Sequence, residues 1–510
     1  MILILLLALP LLAAALSAAL PVRRAAQIVT VLSALAVLIL ATIVALRVAA
    51  GTFVGNASAG ISPSVIPGFV AADGLSALIV VLVALVGSAA AVYSWGYMER
   101  TCGEHPARLR VYYANYNVFL FAMLAIPLTV EPTLVWIFVE LTTLSSALLV
   151  SFESTREALE AAWKYVTLSL MGAGIALLGF LMLFAALEAA GGATYSWTGL
   201  LAAAPRMPAP LIATAFLLIL VGFGTKVGLV PLHTWLPDAH SQAPSPICAL
   251  LSGIETTSVL YVILRLLPIL RASPAAVVAQ WIPIFGLVSV GVAAFLLLQV
   301  RDYKRLFAFS TVEHMGIILV AAGLGSGAAR YAALYQIVCH TITKSFCFFA
   351  AGSAVLTVET REIASVRGLI RESRAAAASL LLGGLAIGGA PPLAVFLSEF
   401  SILKAGFAAG QYVVMALLAL FIAVAFFGIL LHINRMVFGR AREPEAVLAF
   451  PGSQSLPRTG AALHSAKAPP LPRTCLAMLL VVGALVVLLG VYLPSPIDHL
   501  LRLASGASSR

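Results

Sequence analysis

The chain has 510 residues, 62% of them hydrophobic and only 10% charged, with a mean hydropathy of +1.07. That balance excludes a soluble globular protein and makes the chain an all-α polytopic membrane protein. A net charge of +10 would suit a nucleic-acid binder, but the distribution of the charge follows membrane topology instead, so no nucleic acid is expected. The five cysteines, Cys102, Cys248, Cys339, Cys347 and Cys475, show neither C-x-x-C spacing nor a Cys/His cluster. No iron–sulfur, zinc or disulfide framework is therefore expected, and any redox chemistry nearby belongs to other chains.

Apolar spans of about twenty residues are predicted near 1–20, 25–49, 76–96, 111–130, 132–152, 162–187, 209–231, 246–270, 277–300, 306–325, 331–357, 375–404, 411–435 and 474–493, about 14 transmembrane helices. Residues 1–20 lack a basic leader, and Arg23 and Arg24 follow the run, which makes it a first membrane helix with its N-terminus outside rather than a cleaved signal peptide. On that orientation the predicted cytoplasmic loops hold most of the basic residues. Arg47, Arg206, Arg265, Arg271, Arg330, Arg502 and Arg510 are all that the opposite side and its helix ends contain. Both termini are expected outside. Lys164, Lys226, Lys344 and Lys404 fall within the spans themselves.

Glu140 lies mid-span in the fifth helix with no basic neighbour there, so it is either a structural, hydrogen-bonded carboxyl or part of an ion path. Lys164 stands near the start of the sixth helix and could snorkel to the interface as readily as function.

The stretch Val221-Gly-Phe-Gly-Thr-Lys226-Val-Gly-Leu-Val-Pro231-Leu-His233-Thr-Trp235-Leu-Pro237-Asp238-Ala-His240 places a lysine in an apolar helix and breaks that helix with proline just beyond it. An ammonium near a bilayer centre costs about 2.5–3.5 kcal/mol on insertion scales, so it marks an ion or proton path more readily than packing. A carboxylate such as Glu140 beside Lys226 favours the charged ammonium, and its withdrawal favours release of the proton. His233 and His240 lie in the polar turn that follows.

In the tenth helix, Arg301-Asp302-Tyr-Lys304-Arg305 makes a basic start that orientation and phospholipid contact explain, with Glu313 and His314 about two turns inside. His340 and Lys344 are four residues apart in the eleventh helix and share a face, a plausible relay against the plainer reading of a satisfied core histidine. A second interrupted helix carries Gly383-Gly384, Gly388-Gly389 and Pro391-Pro392 ahead of Glu399; Lys404 sits near its end, where snorkelling is the default. Two broken helices five passes apart point to inverted repeats with a site in each. The expected divisions are 1–110 for helices 1–3, 111–271 for a first repeat of helices 4–8, 272–436 for a second of helices 9–13, 437–473 for a flexible cytoplasmic loop, and 474–510 for helix 14 and a tail.

At these residues the chain resembles the antiporter-like subunits shared by respiratory complex I, the Mrp sodium/proton antiporters and membrane-bound group 4 nickel–iron hydrogenases. The resemblance spans helices 4–13 and rests on ordered motifs: Val139-Glu140-Leu-Thr-Thr, Ala161-Ala-Trp-Lys164-Tyr, Gly222-Phe-Gly-Thr-Lys226, Pro231-Leu-His233-Thr-Trp235-Leu-Pro-Asp238-Ala-His240, Tyr303-Lys304-Arg305-Leu, Ser310-Thr-Val-Glu-His314-Met-Gly316, His340-Thr-Ile-Thr-Lys344 and Phe396-Leu-Ser-Glu399-Phe. It implies a modulating ion pair of Glu140 with Lys226, a place on a central hydrophilic axis for His340 and Lys344, and a terminal role for Glu399. His240-Ser-Gln-Ala-Pro-Ser-Pro246 and Tyr492-Leu-Pro-Ser-Pro496 are most similar to the hydrogenase-4 and formate hydrogenlyase type.

One departure concerns the eighth helix, where several relatives carry a lysine or histidine and this chain has Leu251 and Thr257, with Glu255 the nearest ionisable residue. The lateral path then uses Glu255, uses water held by Ser252, Thr256 and Thr257, or is interrupted. Straight helical geometry puts Glu255 about 200° from Thr257, which disfavours the first option.

The resemblance thus implies a proton-translocating, possibly sodium-linked, subunit of an oxidoreductase complex in a prokaryotic cytoplasmic (inner) membrane. It would have no cofactor of its own, with a NiFe centre and Fe-S clusters on partner subunits. Other membrane subunits, further antiporter-like subunits among them, a peripheral redox arm and the lipid bilayer are the expected partners. The alternatives are an Mrp-type antiporter subunit, a non-transporting scaffold, and a subunit coupled to a soluble partner's non-redox chemistry.

Overall fold

The computed structural model describes residues 1–20, 22–51, 69–102, 105–440 and 470–506. Nearly all of them are helical: α1 (Ile2–Ala19), α2 (Arg23–Ala49), α3 (Gly74–Cys102), α4 (Pro106–Leu128), α5 (Pro132–Val150), α6 (Arg156–Ala189), α7 (Trp197–Ala203), α8 (Ala209–Val227), α9 (Trp235–Gln242) and α10 (Ser245–Leu250). A π-helical turn, Leu251–Glu255, joins α10 to α11 (Thr256–Ala272). There follow α12 (Trp281–Leu297), α13 (Tyr303–Gly323), α14 (Gly327–Val358), α15 (Leu369–Glu372), α16 (Arg374–Ile387), α17 (Ala394–Ala408), α18 (Tyr412–Phe438), α19 (Arg473–Val491) and α20 (Ser495–Ser505).

Thirteen of these elements, with α10 and α11 taken together, are long and apolar enough to cross a membrane. The remaining predicted span, 375–404, is divided between two shorter helices, α16 and α17. Helix starts are set by local side-chain caps: Thr155 accepts from Ala158 N, Asp302 from Lys304 N and Arg305 N, and Ser326 from Ala329 N. The α3, α10–α11, α13 and α14 segments bury most of their surface and form the centre, whereas α1, α2, α18 and α19 lie outside them. Outer faces carry bare Leu32, Ile39, Leu144, Val413 and Leu480, which suits lipid or neighbouring subunits because neither leaves those side chains in water.

Both predicted breaks are present. Between α8 and α9, Gly228 caps α8 with a left-handed backbone (φ 88°), and Pro231 follows; between α16 and α17, Gly389 is left-handed (φ 79°), and Pro391-Pro392 follows. The Val230–Pro231 and Pro391–Pro392 bonds are cis. Freed backbone groups at the first break find partners: Trp235 Nε1 donates to Thr225 O (2.8 Å), and Val230 N donates to Ser289 Oγ (3.2 Å). That satisfaction is what lets irregular backbone persist at this depth. Most of the expected 437–473 loop, residues 441–469, lies outside the described residues.

Candidate functional site

Lys226 is the penultimate residue of α8 and is 2% exposed. Its ammonium donates to Thr143 Oγ1 of α5 (2.6 Å) and Tyr165 OH of α6 (2.7 Å), and pairs with Glu255 Oε1 (2.9 Å). The Tyr165 hydroxyl also donates to Glu255 Oε1 (3.1 Å) and shares a hydrogen bond with Ser146 (2.7 Å), while its ring stacks on Trp235 at a centroid distance of 4.5 Å. Lysine, tyrosine and glutamate thus form one closed ring of exchangeable protons, walled off from solvent.

This arrangement corrects the expected pairing. Glu255, not Glu140, contacts Lys226, and neither Glu140 carboxylate oxygen has a partner. Glu140 stands one turn before Thr143 on the same face of α5, out of contact with the ammonium but near enough for the two charges to act on each other. The reason lies in the π-turn, which closes at Glu255 and widens the helix so that the straight-helix estimate of its direction fails. The backbone of this turn is used as well: Ser252 O accepts from His340 Nε2 (3.1 Å) and Thr256 Oγ1 (3.0 Å), and Thr257 Oγ1 donates to Ile254 O (2.9 Å). The Thr256 and Thr257 hydroxyl protons are therefore spent on their own helix. Ser252 Oγ instead bonds Thr311 of α13 (2.5 Å).

Beyond the π-turn, Lys344 of α14 is fully buried and donates to Ser310 Oγ and Phe307 O of α13. It forms no ion pair with another described residue. Glu313, one turn from Ser310, keeps Oε2 without a partner. His340 and His314 stack at 5.1 Å, and each reaches a different irregular segment. His340 bonds Ser252 O in the π-turn, and His314 Nε2 donates to Ile387 O at the end of α16 (3.1 Å). Gln336 Nε2 donates to His314 Nδ1 (3.0 Å), and Ser398 donates to Gln336 Oε1. Gln336 thereby fixes the His314 tautomer, since an accepting Nδ1 leaves the ring proton on Nε2. Glu399 follows Ser398, is 5% exposed, and lays its carboxylate against Gly389, where an added Cβ would meet it.

Other expected residues fall off this line. Lys164 is half-exposed and pairs with Glu160 (2.7 Å) and Asp238 (3.3 Å), and Asp238 in turn pairs with Arg305 (2.7 Å). These four tie α6 to the start of α13. Lys304, in the basic start of α13, is buried and donates to Ala243 O. Glu313 and His314, farther along that helix, are 3% and 0% exposed, and His314 belongs to the line itself. His233 faces Phe309 with Nδ1 unpartnered; His240 bonds Leu236 O through Nδ1 (2.7 Å) and leaves Nε2 unpartnered. Neither bonds Lys226 or Lys344. Lys404 is exposed, as snorkelling requires.

Tyr165, Thr143, Gln336 and Ser398 were missed as participants. Signals were available: Thr143 is three residues from Glu140, Gln336 four residues from His340, and Ser398 adjoins Glu399, all same-face or neighbouring positions. Among the described residues no group of three or more His, Cys, Asp or Glu could hold a metal ion.

Residues 131–425 match the family described as NADH:quinone oxidoreductase/Mrp antiporter, TM, and residues 68–106 match the N-terminus of chain 5 of NADH-ubiquinone oxidoreductase (complex I). A hydrogenase-4 component F homolog of Methylacidiphilum infernorum (isolate V4) is 39% identical over 381 residues, 73% of this chain and 80% of that protein. NADH-quinone oxidoreductase subunit N of Desulforudis audaxviator (strain MP104C) is 27% identical over 454 residues, 85% of this chain and 83% of that one. A chain of the membrane-bound sulfane sulfur reductase, an archaeal respiratory membrane complex, superposes with a TM-score of 0.82 at 23% identity, covering 99% of this chain and 97% of its own. This last likeness concerns the fold.

Proposed function

The chain belongs to the family of antiporter-like membrane subunits of NADH:quinone oxidoreductases, hydrogenase-4 complexes and Mrp antiporters, and from that premise we propose that it moves protons for a redox complex, a group 4 hydrogenase or close relative. The observation that carries this reading is the buried Lys226–Tyr165–Glu255 ring. At 2.9 Å an N–H proton can pass from the Lys226 ammonium to the Glu255 carboxylate, leaving an amine and a carboxylic acid. In the low dielectric between helices the position of neighbouring polar groups acts strongly on such a buried pair. A small displacement of Glu140 or Thr143 by a neighbouring subunit then decides which form is held. From Glu255 the route runs past Ser252 and Thr311 to Ser310 and Lys344, and through His340 and His314 toward Ser398 and Glu399.

The NiFe centre and Fe-S clusters would lie on partner subunits of a peripheral arm, and the chain would sit in a prokaryotic cytoplasmic membrane beside further antiporter-like subunits. The Mrp-type reading is kept because the matched family includes both kinds of assembly. Purification of the intact complex separates them: hydrogenase large and small subunits accompany the chain on the first reading, small antiporter subunits on the second.

The direct test is Lys226→Ala in the assembled complex, reconstituted in vesicles with a pH-sensitive dye. Proton movement should be lost with assembly unchanged. Lys226→Arg should fail too, since a guanidinium does not release its proton at usable pH. Acidification by either variant at the wild-type rate would overturn the reading.

A further inference from the structure

Few arginines sit at the end of the bundle opposite the basic loops, and two of them, Arg265 and Arg502, are held in ion pairs. Arg265 pairs bidentately with Asp73 and lies over the Tyr261 ring at 5.1 Å. Arg502 pairs with Asp498 (2.8 Å), whose other oxygen accepts from Tyr331 OH (2.5 Å), and this fixes the amphipathic α20 against α14. Arg271 and Arg330 have no acidic partner among the described residues. Arg271 lies against Gly325, where an added Cβ would come within 3.1 Å of Cζ, and spends one nitrogen on the carbonyls of Ala322 (2.8 Å) and Gly323 (3.0 Å). Among the described residues the Arg330 side chain makes no hydrogen bond, and its Nε is buried without a partner.

Both arginines line a cavity of about 330 Å³ at this end, between α3, α7, α11, α13, α14 and α20. Much of its lining is apolar, with Leu201, Leu264, Leu267, Leu334 and Leu503; the paired Asp73 and Arg265 line it too, and Arg271 and Arg330 are near enough for their like charges to act on each other. Two partly buried guanidinium groups without a counter-charge are unfavourable alone, and each presents a fork of N–H donors that fits phosphate oxygens. An apolar floor beneath such a fork accepts an acyl chain but offers nothing to a free, hydrated anion.

We propose that this cavity binds one anionic phospholipid, its phosphate on Arg271 and Arg330 and an acyl chain along the leucine floor. The site is independent of the proton path, and its occupant would brace α20 against the ends of α11 and α14.

The test is native mass spectrometry of the purified complex equilibrated with phosphatidylglycerol and phosphatidylcholine. Wild type should retain one phosphatidylglycerol in preference to phosphatidylcholine. Arg330→Gln, which breaks no hydrogen bond within the protein, should lower that retention roughly tenfold, the scale of one charge-assisted contact. Arg330→Lys keeps the charge without the fork and should retain more phosphatidylglycerol than Arg330→Gln but less than wild type. Equal retention of the two lipids, unchanged retention in Arg330→Gln, or displacement of the lipid by millimolar inorganic phosphate would each overturn the assignment, the last by identifying a free-anion site.

Discussion

Around Lys226 the ammonium has three oxygen partners and almost no exposure, so side chains rather than bulk water surround it. Removing the charge of one partner of a buried ion pair costs about 3–5 kcal/mol, because the survivor is left charged in a low dielectric. In Glu255→Gln the available relief is loss of the Lys226 proton. That variant should assemble and yet stall, with no proton movement in the vesicle measurement. Tyr165→Phe is gentler, since Thr143 and Glu255 still hold the lysine. Losing a hydrogen bond to a charged group, about 1.5–3 kcal/mol, should slow transfer on the order of tenfold without loss of assembly. Wild-type rates in both variants would show the ring to be structural. Glu140 and Lys226 were legible in the sequence because charge is rare in apolar spans. Their true geometry was not, since nothing in one sequence says which carboxylate a lysine turns toward.

The decisive element is the π-turn Leu251–Glu255. A regular helix advances 100° per residue, and on that period Glu255 points away from the face of Thr257. Residue types mark helix breaks by Gly and Pro, which made the interruptions after Lys226 and before Glu399 readable. A π-turn inside Leu251-Ser-Gly-Ile-Glu255 has no such mark except Gly253. This glycine packs on α14: an added Cβ would lie 2.8 Å from Ser345 Oγ and 3.2 Å from Thr341 O. Gly253→Ala should therefore force α14 away or convert the turn to regular helix, and either outcome carries Glu255 off Lys226 and Ser252 O off His340. Proton movement should fall at least tenfold while the complex still forms. Gly174→Ala is the control, since nothing lies within 4 Å of its new methyl, and it should leave the rate unchanged. If both substitutions behave alike, the close fit of the π-turn is irrelevant to transport.

At the scale of the molecule, the membrane spans were readable because span length and polarity are local properties; the cavity at Arg271 and Arg330 was not, since it collects residues from six segments distant in sequence. Orientation belongs to this scale as well. The bundle end that holds Arg100, Arg108, Arg110, Arg156, Arg301, Arg305, Arg361, Arg367, Arg371, Arg374, Arg435 and Arg440 is far richer in arginine than the end holding Arg47, Arg206, Arg265, Arg271, Arg330 and Arg502. Basic residues flanking membrane helices are retained on the cytoplasmic side, so the first end should face the cytoplasm and the N-terminus of α1 the outside. Single cysteines test this in a Cys102→Ser background, because Cys102 is partly exposed and the other four cysteines are buried. Glu153→Cys, between α5 and α6, and Ala193→Cys, between α6 and α7, are both at exposed positions on opposite ends of α6. In right-side-out vesicles a membrane-impermeant maleimide should label the cysteine at 193 and spare the one at 153, and inverted vesicles should reverse the pattern. The opposite result would turn the molecule over, placing the Lys164–Asp238–Arg305 cluster on the outer face.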